Sequence, residues 1–68
     1  MQHNADIRFE NHGSVVLIRG LSRAGQDWLD ANVGDDETQH FGRAIVAESR
    51  YCPAIMRGAI DAGLAVSA

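Results

Sequence analysis

Residues 7 to 20 read IRFENHGSVVLIRG, and this stretch narrows the possible folds more than any other. Ile7 and Phe9 alternate with Arg8 and Glu10, the period of two expected of a strand with one buried face. Asn11, His12 and Gly13 read as a turn, since Asn and Gly tolerate positive φ, and the chain returns through SVVLIR as an antiparallel neighbour. The apolar run Val15 to Ile18 suits a central strand covered on both faces. A hairpin of this kind is not stable alone, so the rest of the chain must cover it.

The cover is predicted to be helical. Ser22 is a good N-cap, and RAGQDWLDANV places Ala24, Trp28, Leu29 and Ala31 on one side at helical spacing, with Gly34 where a C′ glycine would stop the helix. Residues 35 to 41 read as a polar loop, and RAIVAES as a third strand. Pro53 belongs in the first turn of a second helix capped by Ser49 or Cys52, because proline fits where no intrahelical donor is needed. Ile55, Met56, Ala59 and Ile60 form its apolar stripe, Gly63 ends it, and Leu64, Ala65 and Val66 add a short strand. The order β-β-α-β-α-β predicts an α+β fold, a small mixed β-sheet with two helices packed on one face. One small α+β domain over residues 1–68 is expected, frayed over 1–5, with Ile7, Phe9, Val15, Leu17, Trp28, Ile45, Ile55 and Ile60 in its core.

With 68 residues, the chain lies near the lower limit at which a hydrophobic core alone holds a fold, burying roughly 60% of its unfolded surface. Its one cysteine, Cys52, cannot make an internal disulfide, which suits a reducing compartment. MQHNADIRFE has no apolar signal core, and Val15 to Ile18 is too short to cross a membrane, so a cytoplasmic protein is expected. The net charge is −3, and the six basic residues are all arginines, scattered at Arg8, Arg19, Arg23, Arg43, Arg50 and Arg57. Without a clustered basic face, direct nucleic-acid binding is not expected.

No catalytic constellation is legible. DANVGDDE lacks the calcium-loop pattern, since the glycine falls at position 5 and Phe41 at position 12 when counted from Asp30. His3, His12, His40 and Cys52 form no close pair of zinc-ligand spacing. Cys52 has no base or orienting group beside it in sequence, and GLSRAG does not reproduce a phosphate loop. No enzyme, cofactor or metal is therefore expected. What stands out is DWLDANVGDDE, with five carboxylates and no basic residue over positions 27 to 37. Negative charge near a helix C-terminus opposes the macrodipole, so stability alone does not explain it. Asp27, Asp30, Asp35, Asp36 and Glu37 are the candidate partner-binding residues, suited to a basic surface.

ENHGSVVLI, DWLDANV and FGRAIVAESRYCPAIMRGAIDAGLAV, in that order, resemble a group of short proteins of proteobacteria and of their phages or integrated elements. The resemblance implies an accessory protein of a mobile element and carries no site residues with it. By size and context it points to the anti-CRISPR class. The expected function is thus a non-enzymatic inhibitor that binds a CRISPR effector subunit of the host and sets an acidic patch against a basic DNA path, as monomer or homodimer. The alternatives are an interaction module with another host or phage partner, and a structural subunit of a homo-oligomer.

Overall fold

The computed structural model describes residues 5–33, 40–41 and 44–68. In chain order the elements are β1 (Ile7–His12), β2 (Val15–Gly20), α1 (Arg23–Asn32), β3 (His40–Phe41), β4 (Ala44–Glu48), a 3₁₀ turn at Ser49–Tyr51, α2 (Cys52–Asp61) and β5 (Val66–Ser67). The strands order as β3-β4-β2-β1-β5; β5 runs parallel to β1 and the other pairs are antiparallel. The mixed α+β architecture and the order β-β-α-β-α-β are as predicted. The two-residue strand β3 is an addition, paired with β4 inside the stretch read as a polar loop.

The hairpin turn differs from expectation in one consequential way. β1 continues through Asn11 and His12, and the loop is Gly13–Ser14, with Gly13 at φ 87° and, among the described residues, no non-glycine residue at positive φ. That is the glycine-first pattern of a type II′ loop, whose twist matches the strands. Asn11 Oδ1 accepts the Gly13 N–H at 3.0 Å, tightening the corner. A two-residue loop fixes the register as His12↔Val15, Asn11↔Val16 and Phe9↔Ile18. Val16 and Ile18 therefore share the face of Ile7 and Phe9, and Val15 and Leu17 turn to the opposite face.

On the inner face Ile7, Phe9, Val16, Ile18 and Ile45 meet Leu29 of α1 and Cys52 and Ala59 of α2 in one buried cluster. Both helices thus pack on one face of the sheet, as expected. Val15, Leu17 and Val46, on the other face, are only half-buried, and among the described residues no helix covers this side of the central strand β2.

Ser22 caps α1, its hydroxyl accepting the Gly25 N–H at 3.0 Å. The buried stripe of this helix is Gly25, Trp28, Leu29 and Val33, while Ala24 and Ala31 are exposed. Trp28 is half-buried, and Leu29 is the residue sealed in the core. Gly25 is buried because α1 approaches the start of β1 so closely that a Cβ there would collide with the Asp6 carbonyl oxygen. In α2 the stripe runs Cys52, Ile55, Met56, Ala59, and Ile60 lies outside it, half in solvent. Pro53 is in the first turn, but the N-cap is Tyr51 and no side chain caps the helix. Its other end is a full Schellman motif: Gly63, at φ 88°, donates to the Ile60 carbonyl at 2.9 Å, and Leu64 donates to Ala59 at 3.1 Å.

Asp6 ties the assembly together. Its Oδ1 accepts the Ser22 hydroxyl at 2.6 Å, its Oδ2 accepts the Ala65 N–H at 2.9 Å, and its carbonyl accepts the Leu21 N–H at 2.7 Å. One residue thereby joins the cap of α1 to the approach of β5.

Candidate functional site

Asp27 and Asp30 lie on the solvent side of α1, away from the stripe that meets the sheet, and both are exposed. The acidic stretch is not wholly unanswered: Arg23, one turn upstream, brings its Nε to 4.0 Å from Asp27 Oδ2. Both side chains are so exposed that the pair adds little to stability. Gln26 Nε2 donates to Asp30 Oδ1 at 3.0 Å. No basic residue occupies the last turn of α1, so the unfavourable interaction with the helix dipole stands. Asp35, Asp36 and Glu37 lie outside the described residues. Beside Asp27 runs a shallow groove of about 320 Å³, lined also by Leu21, Ser22, Arg23 and Gln26. Leu21 is 52% exposed there, an apolar side chain next to a carboxylate.

Cys52 opens α2 and is buried. Its thiol donates to the Glu48 carbonyl at 3.8 Å, and burial pushes its pKa above the ordinary thiol value. The raised pKa favours the neutral thiol, and the side chain packs in the core cluster. Cys52 nevertheless forms part of the wall of a cleft of about 510 Å³ between α2 and the hairpin end of the sheet. Phe9, Asn11 and Val16 line the sheet side, and Pro53 and Met56 the helix side.

A second feature escaped the sequence reading. On the outer face of the sheet Glu10 accepts from Arg19 Nε at 3.0 Å and lies 3.5 Å from Arg8 Nε and 3.6 Å from His12 Nε2. The Arg19 hydrogen bond, with the charges of Arg19 and Arg8 and a bond from His12, holds the Glu10 carboxyl below the usual carboxylate range. Alternation placed Arg8 and Glu10 on one face, but His12 read as a turn residue, and only the extension of β1 and its register opposite β2 bring His12 and Arg19 into the group.

Among the described residues, no three His, Cys, Asp or Glu side chains come together as a metal-ligand set, and no helix is long and apolar enough to cross a membrane. No protein-family model matches the chain, and neither the curated proteins nor the solved structures contain a match to it.

Proposed function

We propose that this is a non-enzymatic binding protein that acts by occupying a surface of a macromolecular partner. Its most specific form is an inhibitor from a phage or mobile element that binds a CRISPR effector, laying the acidic side of α1 along a basic DNA path. The observation that supports this reading is the pairing of exposed Asp27 with the exposed Leu21 in a groove at the start of α1, with Asp30 exposed one turn further along the same helix. Carboxylates supply steering toward a basic surface, and an apolar side chain beside them supplies contact area.

The test is an interference assay in cells carrying one representative CRISPR type at a time, with parent protein and a variant combining Asp27→Asn, Asp30→Asn, Asp35→Asn and Asp36→Asn. The parent should restore transformation by a targeted plasmid, and the variant should lose that effect at equal expression and equal or higher melting temperature. Full inhibition by the variant would reduce the acidic surface to a solvated one. Absence of inhibition by the parent against every type would remove the CRISPR effector as partner.

A second reading is favoured by the outer face of the sheet, where Val15, Leu17 and Val46 adjoin with no helix over them among the described residues. It is a homo-oligomer subunit joined through that face. Sedimentation equilibrium of the parent and of Leu17→Glu decides it: a parent dimer that becomes monomeric in the variant supports it, and a parent monomer at high concentration rejects it.

A further inference from the structure

Arg8 and Arg19 stand directly opposite each other across β1 and β2, and alternation puts both on the outer face of the sheet. Like charges so placed destabilise a strand pair. One carboxylate answers both, Glu10 Oε2 lying 3.0 Å from Arg19 Nε and 3.5 Å from Arg8 Nε. The three charges sum to a positive one, before His12 is counted beside the other carboxylate oxygen. Each guanidinium meets Glu10 through its Nε, and among the described residues the terminal nitrogens of both make no hydrogen bond. They are within reach of solvent, since the Arg8 side chain is 56% and the Arg19 side chain 38% exposed. A guanidinium held at Nε keeps its end-on fork, the two terminal nitrogens, for another acceptor. On the same face Leu17 pairs with Glu10 and Val46 pairs with Leu17, and both are half-buried.

From two guanidiniums oriented by one shared carboxylate beside an apolar strip, we infer that the outer face of β1 and β2 binds a phosphomonoester with an apolar organic group. Arg8 and Arg19 donate from their terminal nitrogens to the phosphate oxygens, Glu10 is the positioning residue, and the organic group lies over Leu17 and Val46. Geometry favours phosphate over carboxylate. A carboxylate has two oxygens, which one guanidinium fork satisfies, whereas a phosphate monoester presents three and engages both forks at once. Its charge, roughly −1.5 to −2 at pH 7, also draws more from a net-positive cluster than the single charge of a carboxylate does. A free small molecule and a phosphorylated tyrosine of a partner protein offer the same chemistry. All the residues involved lie on β1, β2 and β4, the three inner strands of the sheet, so neither a sheet edge nor the acidic side of α1 takes part.

The experiment titrates phenyl phosphate into the isotope-labelled full chain at low salt and follows the arginine Nε–H resonances and the Leu17 methyl groups. Arg8, Arg19 and Leu17 should shift together and saturate with one constant. Benzoate, which carries a carboxylate on the same ring, should bind about tenfold more weakly or worse, the loss of a charge-assisted hydrogen bond. Arg8→Lys and Arg19→Lys keep the charge and lose the fork, so each should weaken binding by about tenfold as well. Should Arg19→Lys lower the melting temperature, Arg8→Lys, at the more exposed position, carries the comparison. No shift of either arginine with millimolar phenyl phosphate, arginine shifts without Leu17, benzoate binding as tightly, or parental affinity in Arg8→Lys would each overturn the assignment. A blocked phosphotyrosine peptide separates the two sources: higher affinity than phenyl phosphate assigns the site to a phosphorylated partner, and equal or lower affinity assigns it to a free phosphomonoester. Failure of the proposed inhibition leaves this result standing, because the acidic carboxylates of α1 enter none of these measurements.

Discussion

Substituting Gly25 by alanine sets a local rule against a tertiary one. In an exposed helix interior Gly→Ala would stabilise by up to about 1 kcal/mol. Here the new methyl would meet the Asp6 carbonyl oxygen, with the Asp6 carbonyl carbon 2.8 Å and Ile7 Cγ1 3.1 Å away. The obstacle is backbone, and it is held: the same Asp6 carbonyl accepts the Leu21 N–H at 2.7 Å, and the Asp6 carboxylate accepts the Ser22 hydroxyl at 2.6 Å. Relief requires α1 to move back by roughly 1 Å, which both opens packing around Leu29 and stretches those bonds. Overpacking of this kind costs about 1–3 kcal/mol and each weakened hydrogen bond about 1 kcal/mol. After the helix-propensity gain, the net loss is about 2–3 kcal/mol, or roughly 10–20 °C in melting temperature for a domain of this size. The assay is thermal and urea denaturation followed by circular dichroism, with Gly58→Ala as the matched control. At Gly58 the neighbour is the Trp28 ring at 3.2 Å, a side chain that can tilt, so that variant should stay within about 0.5 kcal/mol of the parent. If Gly25→Ala melts at or above the parent, the close approach of α1 to β1 is wrong.

Trp28→Ala should cost about 2–3 kcal/mol, less than a fully buried tryptophan would, because its ring is shared between the α1–α2 contact and solvent; an unchanged urea midpoint would contradict this. For Glu10, the folded pKa lies below the ordinary carboxylate value, so the unfolded chain takes up the proton first as pH falls. Its stabilising contribution is present above the carboxylate range and is lost as pH drops through the folded pKa. Melting temperatures of parent and Glu10→Gln should therefore converge in acid, and a constant gap down to pH 2 would refute the cluster's role. Cys52 should react with a thiol reagent far more slowly than in urea-unfolded protein, and Cys52→Ser should leave partner binding intact. Rapid labelling of the folded chain would contradict the burial that raises its pKa.

Features written in local chemistry were legible: Ser22 as a cap, Pro53 in a first turn, Gly63 as the stop of α2. Each depends on residues within a few positions of itself. Which half of VVLI faces the core was not legible, because it turns on whether the loop holds two residues or three, and Asn11-His12-Gly13-Ser14 offers good turn formers at every position. Ile60 was mistaken for core because hydrophobicity outweighs size in a sequence reading, whereas the helix stands close enough to the sheet that small Ala59 is the residue it buries. Gly25 reads as a weak helix former until its neighbour Asp6, nineteen positions earlier, comes into view. Of the candidate partner-binding carboxylates, Asp27 and Asp30 are exposed opposite the observed stripe of Gly25, Leu29 and Val33, whereas a stripe read through Ala24 and Ala31 runs beside Asp27. The cleft and the Glu10 cluster needed cross-strand register, which no single stretch contains.

The bond from Ala65 to Asp6 spans 59 positions, and that separation bears on how the chain is made. During synthesis the hairpin, and then α1, can form as they leave the ribosome, since their contacts are local. The outer edge of β1 has no such early partner: the backbone that will pair with Ile7 and Arg8 is translated almost a whole domain later. For that interval a nascent chain presents a longer bare strand edge than the finished protein ever does, at the stage when many copies grow side by side on one message. Closure by residues 65–67 therefore comes after the hairpin and α1 can have formed, and it covers the start of the β1 edge at Ile7 and Arg8.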